Sequence, residues 1–237
     1  LIDWRLKILD EVGSTSDVCI AAAEAGEPAG YAVMAHLQTA GRGSRGRNWQ
    51  APAGNLNLSV LLRPERDAAE AGLASLRAGV AVADALAQLG ATGITLKWPN
   101  DLLLGDAKLG GILIDTVLRG HSLDWLVVGI GVNLAQAPAL TDRKLTSLRD
   151  HGLDIEPASA AAAILERLAH WETVATSTMI DAWTARARPA GTPLVVRTAA
   201  GALYGAFAGL TAAGELRLAT ADETMVISTG DVLLGLR

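Results

Sequence analysis

The sequence predicts a protein of combined α and β structure that ends in a small all-β unit, on the strength of three observations. Apolar runs of strand length are interspersed with alanine-rich stretches of helical period through residue 188. Pro189-Ala190-Gly191 then breaks the helical pattern. Residues 192–237 carry short β-like runs parted by glycine turns at Gly201, Gly209, Gly214 and Gly230, a composition suited to a five-stranded barrel. The expected organisation is one domain over residues 1–188 and a second over 189–237, within what 237 residues allow.

Ser14-Thr15-Ser16-Asp17 opens the first helix, because Ser14 and Asp17 have capping-box spacing and the run Val18-Cys19-Ile20-Ala21-Ala22-Ala23 follows. Gly26 ends it after residue 25. Residues 31–37 read as a strand leading into a Gly/Arg-rich loop, and residues 56–62 as a strand leaving it, with Leu56, Leu58, Val60 and Leu62 at alternate positions. From residue 68 to 89, Leu73, Leu76, Val80, Ala83 and Ala87 recur at helical spacing and Gly90 closes the helix. Residues 94–98 form a short strand stopped by Pro99. Residues 102–104 lead into a Gly105-Asp106 turn, and 108–115 begin the returning strand of a hairpin. A further apolar strand over 123–133 ends in Gly129-Ile130-Gly131-Val132-Asn133. Two helices are expected over 160–169 and 179–187.

Half of the residues are hydrophobic, so a sizeable core is available, and the formal net charge of -5 disfavours broad nucleic-acid binding, which needs clustered cations. No apolar window of about eighteen residues occurs, so no membrane span is expected. The start Leu1-Ile2-Asp3-Trp4-Arg5-Leu6-Lys7 lacks the succession of a secretory signal. Cys19 is the sole cysteine, which excludes an intramolecular disulfide and points to a reducing compartment, the cytoplasm. Within its alanine-rich helix it reads as a small buried apolar residue. His36, His121, His151 and His170 have no companion at metal-ligand spacing, and no metal ligands are assigned.

Two segments concentrate the chemistry. Gln38-Thr39-Ala40-Gly41-Arg42-Gly43-Ser44-Arg45-Gly46-Arg47-Asn48-Trp49 packs three arginines and three glycines into one loop of an acidic chain. Glycines let the backbone fold closely over a ligand, and guanidinium forks suit oxyanions; a solvated turn or an RNA-contacting segment are the other readings. Lys97-Trp98-Pro99-Asn100-Asp101 and Lys108-Leu109-Gly110-Gly111 bracket one hairpin turn. Their lysines would neutralise phosphate or carboxylate, Asn would bind phosphate or a metal-associated water, and Asp would orient an amine or Mg2+. An ordinary solvated hairpin fits this segment equally well.

Together the segments resemble the biotin protein ligase family, whose signature is a GRGRxGRxW loop, a KWPND box, a Lys-Leu-Gly-Gly strand start and a Gly-x-Gly-x-Asn strand end. Here these stand as Gly41 to Trp49, Lys97 to Asp101, Lys108 to Gly111 and Gly129 to Asn133, in order and spacing, and the resemblance spans nearly the whole chain. It implies an α+β fold, a mixed sheet flanked by helices and related to class II aminoacyl-tRNA synthetases, followed by an SH3-like barrel. It implies the reaction of a biotin-[acetyl-CoA-carboxylase] ligase. ATP with Mg2+ activates biotin to biotinyl-5'-adenylate, and biotin passes to a lysine of a biotin carboxyl carrier protein or domain of a biotin-dependent carboxylase. The signature region begins almost at residue 1, so the helix-turn-helix domain of repressor-type relatives is not expected. The resemblance is thus to the monofunctional type, a monomer or homodimer contacting neither DNA nor membrane.

By the same resemblance Ser14, Thr15, Ser16 and Gln38 map to biotin, whose uncharged ureido ring suits hydroxyl and amide partners. Ser14 also reads as a plain helix cap. Arg42, Gly43 and Ser44 map to the loop over biotin and its adenylate, and Gly110 and Gly111 accompany Lys108 on the biotin side. Arg45, Arg47, Trp49, Lys97, Asn100 and Asn133 map to the ATP side, Trp49 being equally readable as a core anchor. Lys108 is the expected catalytic centre, stabilising charge at the biotin carboxylate and adenylate phosphate, with Arg42 counted beside it. Asp101 is expected to orient the acceptor lysine or take its proton. One departure stands out: the fourth loop position, commonly arginine, is Ser44, so one cationic contact is absent and faster adenylate release is expected. The alternatives are a lipoate-protein ligase, disfavoured by the complete loop and KWPND signatures, and an RNA-binding module, disfavoured by acidic charge and few aromatics.

Overall fold

The computed structural model describes residues 2–139, 144–198 and 201–234. Seven strands, β1 (Arg5–Val12), β2 (Tyr31–Gln38), β3 (Leu56–Leu62), β4 (Ile94–Lys97), β5 (Asp101–Leu104), β6 (Ala107–Arg119) and β7 (Ser122–Val132), form one sheet. Their order is β1-β2-β3-β7-β6-β5-β4. β1 and β2 run parallel because α1 (Thr15–Glu24) carries the chain back between them, and the other pairings are antiparallel.

The two faces of this mixed sheet are covered differently. Leu56, Leu58, Val60 and Leu62 of β3 and Leu126, Val128, Ile130 and Val132 of β7 join the main core, together with residues of α2 (Ala74–Gln88) and α3 (Pro157–Thr173). On the other face Leu61 and Val127 meet Cys19 and Ala23 of α1. Period-2 alternation therefore places Asn57 and Ser59 on the α1 face, fully enclosed, where each must find hydrogen-bond partners. Cys19 is buried as its alanine-rich surroundings predict, and burial pushes its thiol up to about 12.

Some expectations need correction. The stretch 68–89 is not one helix: a 3-10 segment, Ala68–Leu73, precedes α2, with Gly72 in the run and Ala68 N donating to His121 O at 2.8 Å. Ser14 caps α1 by position only, since its side chain caps no backbone N–H and no capping box forms. Gln38 Oε1 takes that place by accepting from Thr15 N at 2.8 Å. α3 is longer than expected, and α4 (Thr176–Thr184) ends early because Leu96 N turns to Arg186 O at 2.9 Å and Leu96 bridges Ala187. β1 is absent from the sequence reading; Arg5, Lys7, Asp10 and Glu11 mask its alternation and suit an edge strand.

As the glycine-parted runs predict, five strands follow: β8 (Pro193–Thr198), β9 (Gly201–Leu210), β10 (Leu216–Ala219), β11 (Thr224–Ile227) and β12 (Asp231–Leu234). They form an antiparallel sheet of order β11-β10-β9-β8-β12. Leu194, Val196, Phe207, Leu216, Leu218, Ile227 and Val232 join the main core, and Trp98 Nε1 donates to Gly214 O at 3.0 Å. The chain is thus an α+β protein whose two sheets share one apolar interior. Among the described residues no helix is long and apolar enough to cross a membrane.

Candidate active site

The Gly/Arg loop is a small hairpin. Arg42 bridges Asn48, Gly43 N donates to Arg47 O at 2.7 Å, and Trp49 N donates to Gly41 O at 2.9 Å. Arg45 at its tip takes φ of 60°, the left-handed region that lets so short a turn close. The hairpin lies over the α1 face of the sheet, where Gly129 and Gly131 leave room for it. A Cβ on Gly131 would stand 2.3 Å from the Trp49 indole, and one on Gly129 would stand 2.6 Å from Ser16 Oγ.

Beneath the hairpin is an uncharged polar floor. Thr15 Oγ1 and Ser16 Oγ lie 2.7 and 3.0 Å from Ser59 Oγ. Gln38 accepts from Thr15 Oγ1 at 3.1 Å and donates through Nε2 to Asn57 Oδ1 at 3.0 Å. Each group is held by its neighbour, so the floor is a pre-set array rather than a collection of free rotors. Ser14, Thr15, Ser16, Gln38 and Ser59 line one cavity; Arg42, Gly43, Ser44 and Trp49 cover it.

Lys108 reaches this cavity through a β-bulge. Leu102 pairs with Gly110 but Leu103 with Lys108, so β6 spends one extra residue there. The extra residue reverses the alternation, which sends Leu109 into the core and Lys108 to the cavity wall. Lys108 Nζ pairs with Asp101 and stands 5.9 Å from the Trp49 ring centroid. Asp101 Oδ2 also holds Lys97 Nζ at 2.7 Å. Burial acts to raise the Asp101 carboxyl, but the charges and hydrogen bonds of Lys108 and Lys97 outweigh it and keep Asp101 below the usual carboxylate range. Two ammonium groups against one carboxylate leave this wall net positive, a setting for an anionic ligand.

A second cavity adjoins the first beneath the hairpin, lined by Gly43, Ser44, Arg47, Trp49, Lys108 and Asn133. Asn133 is 1% exposed; its Nδ2 donates to Thr146 O at 3.1 Å, while its buried Oδ1 has no hydrogen-bond partner among the described residues. An orphaned acceptor of this kind is costly unless a ligand donor meets it. Lys108 and Trp49 line both cavities.

Most of the residues singled out in the sequence therefore converge. Asn100 lines the first cavity and also ends the β5–β6 ladder, accepting from Ile112 N at 2.9 Å and donating to Ile112 O at 2.6 Å. A Cβ on Gly111 would stand 3.1 Å from Lys108 Nζ, and one on Gly110 would stand 2.6 Å from Gly131 O. Arg45 and Asp101 line a wider cleft that runs on toward β12. Lys97 lines neither of the cavities that meet at Lys108; its ammonium is spent on Asp101 and on Val232 O, 2.9 Å away.

Sequence reasoning missed the residues that hold these groups. Asn57 and Ser59 were legible as polar positions in an otherwise apolar strand. Asp115 and Asp231, which face Arg42 and Arg47, carried no local signal, since each meets its partner from a distant part of the chain.

The profile of the biotin/lipoate A/B protein ligase family matches residues 21–133. The chain is 34% identical over 215 residues to the biotin--[acetyl-CoA-carboxylase] ligase of Paracoccus denitrificans, covering 86% of this chain and 90% of that one. It is 35% identical over 245 residues to the enzyme of the same name from Mycobacterium tuberculosis, covering 97% and 89%. The biotin protein ligase from Aquifex aeolicus in complex with biotin and ATP superposes with a TM-score of 0.82 at 26% identity over 97% of each chain. Fold and site together define the class of biotin and lipoate protein ligases. Within that class the chain belongs to the biotin protein ligase family.

Proposed function

We propose that the protein joins biotin to ATP as biotinyl-5'-adenylate and then transfers biotin to a lysine of a biotin carboxyl carrier protein or domain. The observation that carries this reading is the placement of Lys108 where two unlike cavities meet. The first has the uncharged donors and acceptors that suit a ureido ring. The second has an acceptor, Asn133 Oδ1, unpartnered among the described residues, that suits the amino group of an adenine. At their junction a carboxylate and an α-phosphate would come together beside an ammonium group.

In the first step a carboxylate oxygen of biotin attacks the α-phosphorus, the bond to the β-phosphate oxygen breaks, and pyrophosphate leaves with its electron pair. Lys108 screens the charge shared between the two anions, and Asp101 and Trp49 fix where its ammonium sits. In the second step a neutral lysine amine attacks the acyl carbon, AMP leaves, and the proton is released to solvent. Asp101, doubly paired and held ionised, serves in this reading to position Lys108 rather than to take that proton. The hairpin excludes water from the mixed anhydride.

Mg2+ would travel with the nucleotide. No group of three or more His, Cys, Asp or Glu able to hold a metal occurs among the described residues, which suits an ion carried chiefly by phosphates. When bound it supplies charge neutralisation at the phosphates. The finer fold belongs to the same proposal: residues 1–188 as a class II synthetase-like catalytic domain and 189–237 as an SH3-like barrel.

Mass measurement of a carrier domain after incubation with ATP, Mg2+ and biotin tests the function. One added biotinyl group per carrier is expected, and an unchanged mass would overturn the reading. Calorimetry with biotin, lipoate and a short RNA separates it from the two alternatives, since only biotin should bind.

A further inference from the structure

The three arginines of the hairpin are not equivalent. Arg45 sits at the exposed tip, whereas Arg42 and Arg47 are each turned onto carboxylates outside the hairpin. Arg42 presents its fork to Asp115 of β6, Nη1 to Oδ1 at 3.1 Å and Nη2 to Oδ2 at 2.8 Å. Asp17 Oδ1 of α1 lies 2.9 Å from Arg42 Nε but off the N–H axis, so it adds charge rather than a hydrogen bond. Both terminal nitrogens of this guanidinium are thus engaged by protein before any substrate arrives. A fork spent in this way is a strut, not a free oxyanion clamp.

The placement of the strut matters. Arg42 is the first hairpin residue to cross from β2 over the first cavity, and it pairs across the hairpin with Asn48, next to Trp49. Asp115 projects from the same sheet face as Gly111 and Leu113, two residues apart along β6. The ion pair therefore joins the cover of the cavity to β6, the strand whose Gly111 and Leu113 line it. At half-exposed sites a single-point ion pair contributes little, but a bidentate pair fixes orientation as well as charge.

We propose that Asp115 is a positioning residue that holds the covering hairpin closed through Arg42, with Asp17 assisting, and so retains the activated intermediate. This places Arg42 among the groups that shut the site rather than among those that touch the reacting atoms. It also offers a physical substitute for the arginine that Ser44 replaces: the hairpin is fastened at its root instead of at its fourth position. The inference rests on the proposed adenylate chemistry, so it needs one test that uses that chemistry and one that does not.

The independent test is limited trypsin digestion of the ligand-free protein at Arg42, Arg45 and Arg47. Asp115→Asn should raise the rate of cleavage within residues 41–49 by about tenfold, Asp115→Glu should restore most of the protection, and thermal unfolding should shift by only a few degrees. Cleavage of Asp115→Asn at the unaltered rate would overturn the proposal. The second test follows release of preformed biotinyl adenylate. Asp115→Asn should release it about tenfold faster while its rate of formation at saturating substrates changes less than about twofold. Arg42→Gln combined with Asp115→Asn should release it no faster than the single variants, because the pair acts as a unit. Multiplied effects in the double variant would contradict a shared latch. Should the unaltered protein form no adenylate, the proposed function fails and the digestion alone decides the latch.

Discussion

Lys97 of β4 and Val232 of β12 are joined across the two sheets by a hydrogen bond of 2.9 Å from Nζ to the main-chain carbonyl. The same ammonium lies 2.7 Å from Asp101 Oδ2, and Asp101 in turn holds Lys108. The C-terminal sheet is therefore linked to Lys108 through two side chains, Lys97 and Asp101. Lys97, which the resemblance places on the ATP side, stands in the structure as the link between β12 and the ion triad.

Replacing Lys97 with Met should test that link. The Val232 carbonyl loses its donor and Asp101 keeps a single partner, so stability should fall by about 2 kcal/mol in urea denaturation. Adenylate formation should slow while biotin affinity changes little, because Lys108 loses its fixed position rather than its charge. A variant with wild-type stability and rate would remove Lys97 from this chain of contacts.

The pH dependence follows from Asp101. Its folded-state carboxyl is held below the usual carboxylate range, so it releases its proton more readily than in the unfolded chain. The resulting stability is fully present above the unfolded value of about 3.9 and is lost as pH falls through the lower folded value. Asp101→Asn should lose about 3 kcal/mol at neutral pH, since two lysines lose their counter-ion, and should then decline less steeply below about pH 4. Parallel acid-denaturation curves for the two proteins would contradict the assignment.

Asn133→Ala removes the unpartnered acceptor of the second cavity. The KM for ATP should rise by about tenfold, corresponding to about 1.4 kcal/mol, with the biotin dissociation constant nearly unchanged. Equal losses for both substrates would place Asn133 in the scaffold instead.

Ser44 and Gly131 address the cover itself. Ser44 Oγ and its carbonyl accept from Arg47 Nη2 and Nε at 3.0 and 3.2 Å, so Arg47 already occupies the neighbourhood of the absent arginine. Ser44→Arg should still slow adenylate release relative to the wild type, and equal release rates would count against a retaining role for this position. Gly131→Ala should do the reverse. Its Cβ would lie 2.3 Å from the Trp49 ring, so the hairpin must lift, with faster release and altered tryptophan fluorescence as the readouts.

The residues that gather around the cavities were more legible in the sequence than the contacts that hold them. Strands β2, β3 and β7 were legible because their apolar runs are continuous or alternate cleanly, and the signature residues Lys108, Asn100 and Asn133 lie at strand ends where local pattern points. β1 was not legible, because an edge strand hides its alternation under Arg5, Lys7, Asp10 and Glu11. The bulge that turns Lys108 to the cavity depends on register against Leu102 and Leu103, which no single segment encodes. Gln38 was legible as a position of the site, and it lines the first cavity, but its hold on Thr15 N, in the place expected of a capping box, required the parallel pairing of β1 with β2. The carboxylates of Asp115 and Asp231 meet their arginines 73 and 184 residues away, and only the folded chain brings them together.

Quantifying protein-bound biotinyl adenylate after mixing with biotin, ATP and Mg2+, in the wild type and in Lys108→Gln, tests the central claim most directly. The account predicts one equivalent in the wild type. In the variant, formation should be slower by roughly 10²–10³ with biotin binding nearly intact, as befits loss of a preorganised charge at the reacting atoms. Formation at the wild-type rate without the Lys108 ammonium, or no adenylate in the wild type, would contradict it.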